Sequence, residues 1–363
     1  MGSQLAGRSL PRTLVVAVNA AAAWLLAVSV QVAWLGLLAL LIDQLLLQRC
    51  RPRFREIVWS IVLLRGLVPA QWSLVPSSTW ARLPSLPAFA EQLPDGAGGA
   101  ASLVVALWLA GVMAFALFGG CTYRRRVAQL CGQSRAADAA WQQAARAAAR
   151  LLGMHTVPCL RATRARGAPC VAGLLRPIVF VPGQLPGATD PASRENVLLH
   201  EFAHLQRRDP WRAAAGLFVL MLFWFHPIVW LASARLQLLR ELSCDQRAAA
   251  ANGVAAYRAT LARCAAALLD GNSWLPAPGL GGRQLLPRLA ALAALAAESR
   301  TGRRRRTLLG TVACLAVCIA SCVLATPAPE ATMPSVAELL RQPGCFARHY
   351  AVLTALAAAE PAR

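Results

Sequence analysis

Four stretches of the chain are apolar over, or nearly over, the roughly 20 residues that a helix needs to cross the hydrocarbon core of a bilayer. They are Leu14 to Leu47, Ile57 to Leu74, Ala101 to Gly119 and Thr307 to Ala325. The first is long enough for a tight pair, but it is read as one tilted helix with Asp43 near its end. Pro69, Pro76, Pro84, Pro87 and Pro94, with the Gly-rich tract Asp95 to Gly99, predict an irregular connection over Gln71 to Ala100. Elsewhere the pattern shortens. Ala136 to Leu152 is Ala-rich and helical, and Pro177 to Pro182, PIVFVP, is a β-rich run bounded by proline. Arg283 to Ser299 reads as a Leu/Ala-rich helix in which Pro287 is tolerable only near the first turn.

Composition agrees with a membrane class: 57% of residues are hydrophobic and the mean hydropathy is +0.48. A net charge of +21 would ordinarily raise nucleic-acid binding. The position of the charges argues against it. All 37 basic residues are Arg, and they cluster beside apolar runs: Arg49, Arg51, Arg53 and Arg55, then Arg124 to Arg126, then Arg303 to Arg306. That is the bias of loops kept in the cytoplasm, whereas a nucleic-acid surface needs a basic stripe interleaved with aromatics. The connection before Ala101 carries Glu91 and Asp95 against a single Arg82, which suits the outer face. The 11 Cys include no CxxC pair, and only Cys345 falls in an oxidising compartment by this topology, so a disulfide scaffold is not expected. Cys314, Cys318 and Cys322 repeat at helical spacing and read as small packing residues. Leu14 to Leu47 is too long for a signal-peptide core and is expected to stay as an anchor.

A fifth apolar run, Ala213 to Ala234, is long enough to span but is not expected to cross. A single crossing would move Arg303 to Arg306 to the side opposite Arg124 to Arg126. It would also separate a pair of motifs that chemistry wants together. His226-Pro227 at its centre disfavours helix at the residue before proline, so the run is predicted to fold as a hairpin of two short helices, with both ends on one face.

The motifs on either side of that hairpin carry the candidate chemistry. Asn196 to Arg207, NVLLHEFAHLQR, reads as a helix, and four residues advance it by about 400 degrees, placing His200 and His204 on one face. Two neutral imidazoles at this spacing suit Zn2+, one ion per chain. Glu201, next to His200, can act as general base toward the water the metal activates and return the proton to the leaving amine. Two His make half a site. The best third ligand is Glu241 in RELSCDQRA, with Asp245 one turn further on to accept a hydrogen bond from a ligand His. Taken alone, Glu241 and Asp245 fit equally well a solvated acidic face paired with Arg240 and Arg247; the upstream HExxH tips the reading toward metal. His226 is the rival ligand, but it precedes proline in the aromatic run LFWFHPIVW and suits an interface turn better. His155 and His349 have no metal partner nearby in sequence. PIVFVP, some twenty residues before HEFAH, occupies the place of a substrate-binding edge strand; an ordinary core strand is an equal reading.

Taken in order, RPRFREIVWSIVLLRGLVP (51–69), GLLRPIVFVPG (173–183), LLHEFAHLQRRDPW (198–211), FWFHPIVW (223–230) and RELSCDQRA (240–248) resemble the BlaR/MecR family of membrane-bound zinc metallopeptidases, antibiotic-sensing signal transducers and their stand-alone relatives. The resemblance implies a gluzincin-type site on the cytoplasmic side, with His200, His204 and Glu241 as ligands, Glu201 as catalyst and Asp245 in support. It also implies a protein or peptide substrate, a cytoplasmic transcriptional repressor or the chain itself. One departure is plain: 38 residues follow Ala325, with no SxxK, and these are not expected to hold the family's C-terminal penicillin-binding sensor domain.

The fold expected is a mainly α integral membrane protein of about four transmembrane helices, with a cytoplasmic gluzincin-like metallopeptidase domain of helices and a small β portion. Residues 1–120 would form a membrane region with three spans, 121–306 the peptidase domain with its apolar hairpin at 213–234, 307–325 the fourth span and 326–363 a short extracytoplasmic tail. The function expected is zinc endopeptidase activity in regulated proteolysis or signal transduction at the bacterial inner membrane, active site facing the cytoplasm. The alternative is a non-catalytic membrane scaffold that keeps the fold; an intact Glu201 argues against it.

Overall fold

The apolar runs become long helices around a short central one. The computed structural model describes residues 12–47, 50–68, 98–164, 168–183, 185, 188–270, 282–296 and 300–323, all within the first of two compact units, Met1–Thr326. Helix α1, Arg12–Leu45, is continuous over 34 residues, about 51 Å at helical rise, so the first run is one helix and not a pair. Helix α2 covers Pro52–Arg65 and α3 Gly98–Gly132. Three described helices are long and apolar enough to cross a membrane, over Ala17–Leu45, Gly99–Gly132 and Arg304–Cys322.

The second expected span is described only in its first part. Helix α2 has 14 residues, about 21 Å, and ends at Arg65; the remainder of the expected span, from 69 onward, lies outside the described residues, as do the connection over 71–97 and the tail from 326. Proline at its first turn and charges at Arg53, Arg55 and Glu56 give α2 a polar start. Val58, Trp59, Val62 and Leu63 then fill the core of a helical cluster with Val28, Val32 and Leu35 of α1. Charge inside such a cluster must be paired. Asp43, 1% exposed, accepts from Arg55 Nε at 2.5 Å and from Trp59 Nε1 at 3.1 Å.

Among the described residues four short strands follow α3: β1 Ser134–Ala136, β2 Cys159–Thr163, β3 Cys170–Ala172 and β4 Ile178–Pro182. Between β1 and β2 lies α4, Ala139–Leu151, started by Asp138 accepting from Trp141 N at 2.9 Å and buried along Ala144, Ala145, Ala148 and Ala149. Sheet order is β1-β2-β4-β3, with β2 and β4 parallel and the outer pairs antiparallel. The PIVFVP run is therefore an interior strand. Val179 and Val181 are fully buried against Leu198, Leu199 and Phe202, and the edge expected at β4 belongs to β3, which pairs onto it with Val171 opposite Val179.

Helix α5, Pro191–Gln206, begins at Asp190, whose side chain accepts from Ser193 N at 2.9 Å, with Pro191 in the first turn. It packs on α4. Arg208, at φ 58° in the left-handed region, turns the chain into α6, Asp209–Leu222. His226 is extended, as the residue before proline should be, and Pro227 starts α7, Pro227–Asn252. The chain reverses here and α6 packs on α7, but the second arm is not short: α7 runs unbroken for 26 residues through the RELSCDQRA motif. Gly253 at φ 91° leads into α8, Val254–Asp270. Helix α9 covers Gly282–Ala296, with Pro287 beyond the first turn expected for it, and α10 covers Arg300–Val323.

Candidate active site

The i and i+4 spacing on α5 brings His200 Nε2 and His204 Nε2 to 3.2 Å of one another. From α7, Glu241 closes the group, with Oε2 at 3.3 Å from His200 Nε2 and Oε1 at 3.6 Å from His204 Nε2. One ligand atom from each of the three residues lies within 4.8 Å of the other two. Two ring nitrogens and a carboxylate meet at one point, an arrangement that needs a proton or a cation between them. The donor set and its convergence fit a divalent ion of the zinc type.

Each of the two His is held by its other ring nitrogen. His200 Nδ1 lies 3.1 Å from Asp245 Oδ1 and 2.9 Å from the Tyr257 hydroxyl, which itself donates to Asp245 Oδ1 at 2.6 Å. Acceptors on that side hold a proton on Nδ1, so that a metal at Nε2 would have to displace only the second ring proton. Arg288 anchors Asp245 from α9 through Nε at 2.7 Å and Nη2 at 2.6 Å, and its Nη1 lies 3.2 Å from Glu241 Oε2. His204 Nδ1 faces Asp209 Oδ2 at 2.9 Å.

The electrostatics follow from burial and pairing. Burial works against charge on His200, but hydrogen bonds to Asp245 and Glu241 prevail and push its pKa up to about 10. For Glu241 and Asp245 burial is likewise outweighed, by His200 at the first and Arg288 at the second, and both carboxyls are held below their ordinary values. Glu201 goes the other way: burial raises it, although His200 and His204 pull it down, which moves a base toward the pH at which it would work. Cys244 lies 3.3 Å from His204 Nδ1 and 3.4 Å from Asp209 Oδ2. Burial lifts its thiol well above the usual range, so it stays a neutral donor there.

A cavity of about 720 Å³ opens beside this centre, with Glu201, His200, His204 and Glu241 on its wall. Edge strand β3 contributes Cys170 and Val171, and α3, α6 and α8 contribute Leu130, Leu217 and Leu261. The turn after β3 needs glycine: Gly173 has φ 94°, and a Cβ there would meet the Arg176 carbonyl oxygen at 2.7 Å. Its N–H is accepted by the Tyr123 hydroxyl of α3 at 3.2 Å.

All five residues picked from the sequence, His200, Glu201, His204, Glu241 and Asp245, come together here. His226 does not. Its Nε2 lies 3.0 Å from the Ser29 carbonyl oxygen in the contact between α1 and the start of α7. His155 is exposed, and His349 lies outside the described residues. Sequence reasoning missed Asp209, Tyr257 and Arg288. Asp209 had a faint signal, an acidic residue five after His204, while Tyr257 and Arg288 reach the site only through the packing of α8 and α9.

Spanning-length helices joined to a helical unit whose His, His and Glu side chains converge define a membrane-associated peptidase of the metallo class. The family model described as BlaR1 peptidase M56 matches residues 23–270, and the chain belongs to that family. The match contains every residue of the centre except Arg288. No curated protein matches the chain.

Proposed function

We propose that the protein is a zinc endopeptidase with its active site on the cytoplasmic side of the bacterial inner membrane, acting in regulated proteolysis. The observation that carries this reading is the convergence of His200, His204 and Glu241 on one point, with Glu201 on the same cavity wall. In this reading His200, His204 and Glu241 would hold one Zn2+, which would supply the Lewis acidity that makes water nucleophilic and polarises a peptide carbonyl. Glu201, on the cavity wall, would take a proton from the attacking water on its carboxylate. The water oxygen adds to the carbonyl carbon, the C–N bond breaks, and Glu201 gives the proton to the departing nitrogen. Asp245 and Tyr257 keep the His200 ring in one tautomer throughout. The free edge of β3 would take the substrate as an added strand, reading main chain more than side chain. A cytoplasmic repressor, or a segment of the chain itself, suits such a site.

The test is metal content and cleavage of casein, or of the chain itself, by detergent-purified protein beside Glu201→Gln and Glu241→Ala. We expect about one zinc per chain in wild type and in Glu201→Gln, cleavage in wild type only, and loss of both in Glu241→Ala. A wild type without bound metal would overturn the reading in favour of a scaffold.

A further inference from the structure

Beyond the ligands lies a line of paired charge, its carboxylates buried, that leads away from the site toward the membrane helices. Asp209 Oδ2, the partner of His204 Nδ1, is shared with Arg207, whose Nε lies 3.2 Å away. Nη2 of the same guanidinium donates to Glu56 of α2, at 2.8 Å from Oε1 and 2.6 Å from Oε2. Arg212 Nη1 and Ser243 Oγ add 2.9 and 3.4 Å contacts to that carboxylate. Glu56 is 7% exposed and Asp209 4% exposed.

Burying ionised groups in this way does little for stability, because desolvation consumes most of the Coulomb gain. What the arrangement does achieve is geometric. A planar guanidinium that engages one carboxylate through Nε and another through Nη2 fixes them relative to one another, which an ammonium on a flexible stem cannot do. One of the two orients a metal-binding ring; the other sits on α2, which packs against α1 and α10, both long and apolar enough to span.

On the reading of His204 as a zinc ligand, we propose that Asp209 is a positioning residue for His204, and that Glu56 sets its position through Arg207, so that the place of α2 tunes the metal site. A displacement of α2 by its membrane neighbours is then felt at His204 Nδ1 without any change in the three ligands.

The experiment measures Zn2+ affinity by competition with a chelating dye, and the visible spectrum of the Co2+-loaded protein, on the full chain in detergent. Removing a group that orients a ligand imidazole costs about 10–100-fold in affinity, and we expect that loss for Asp209→Ala, with partial recovery in Asp209→Asn, which keeps an acceptor. Arg207→Lys keeps the charge but not the bridge; we expect it and Glu56→Gln to weaken binding several-fold and shift the Co2+ bands. The double variant Glu56→Gln/Asp209→Ala should bind no more weakly than Asp209→Ala alone, since Glu56 acts only through Asp209. Full additivity, or wild-type affinity and spectrum in the single variants while Glu241→Ala loses the metal, overturns this inference and leaves the peptidase reading standing. Absence of metal from wild type overturns both.

Discussion

Cys170 shows how the site treats its own wall. The thiol lies on edge strand β3, and burial, with the Glu201 charge nearby, pushes its pKa up to about 11 against the pull of Arg126. A raised thiol pKa means less thiolate at neutral pH, so reactivity is suppressed there and returns as pH climbs. Iodoacetamide at pH 7 should modify exposed Cys159 well before Cys170, and the Cys170 rate should rise about tenfold per pH unit up to about 11, as peptide mass spectrometry would record. Equal rates at pH 7 would contradict the environment described for β3. At this scale the sequence was informative wherever a helical spacing puts candidate residues on one face: His200 and His204 one turn apart, Glu241 and Asp245 one turn apart. Tyr257 and Arg288 have no such spacing. Nothing about a Tyr in α8, or an Arg after a proline in α9, points to a carboxylate on α7 until three helices are packed around it.

Helices with little polar contact between them depend on how closely their backbones can approach, and three glycines set that approach here. Gly36 of α1 faces Ile228, Gly111 of α3 faces Trp224, and Gly310 of α10 faces Phe54, each with no room for a Cβ. Replacing Gly36 by Leu would drive α1 off the start of α7, an overpacking of about 1–3 kcal/mol that should lower the thermal midpoint in detergent. Gly119→Leu, on the same type of helix but with open space beside it, should leave the midpoint unchanged. Hydrophobic length revealed the long helices, and the His-Pro pair marked the reversal between α6 and α7. Length does not decide α2, because a buried packing helix and half of a spanning one look alike when only apolarity is counted. The β4 strand was recognisable by its residues, but its interior place was not, since strand order depends on where β3 pairs, and three residues of β3 carry no pattern of their own.

For the whole molecule, the arginines set the expected orientation. A net charge of +21 gathered beside the apolar helices favours a cytoplasmic peptidase unit, and Arg164 and Arg176 are exposed on it. Trypsin added to inverted membrane vesicles should therefore cut around these two residues, while trypsin added to spheroplasts should leave them intact; the opposite pattern would place the site outside. The centre is also assembled from pieces far apart along the chain: Glu56, the pair His200 and His204, then Glu241 and Asp245, then Arg288. A ribosome adding about 5–20 residues per second finishes the HEFAH helix several seconds before it reaches Arg288. During that interval the nascent chain has its imidazoles but not the clamp on Asp245, so the centre takes its full form only after α9 has been made.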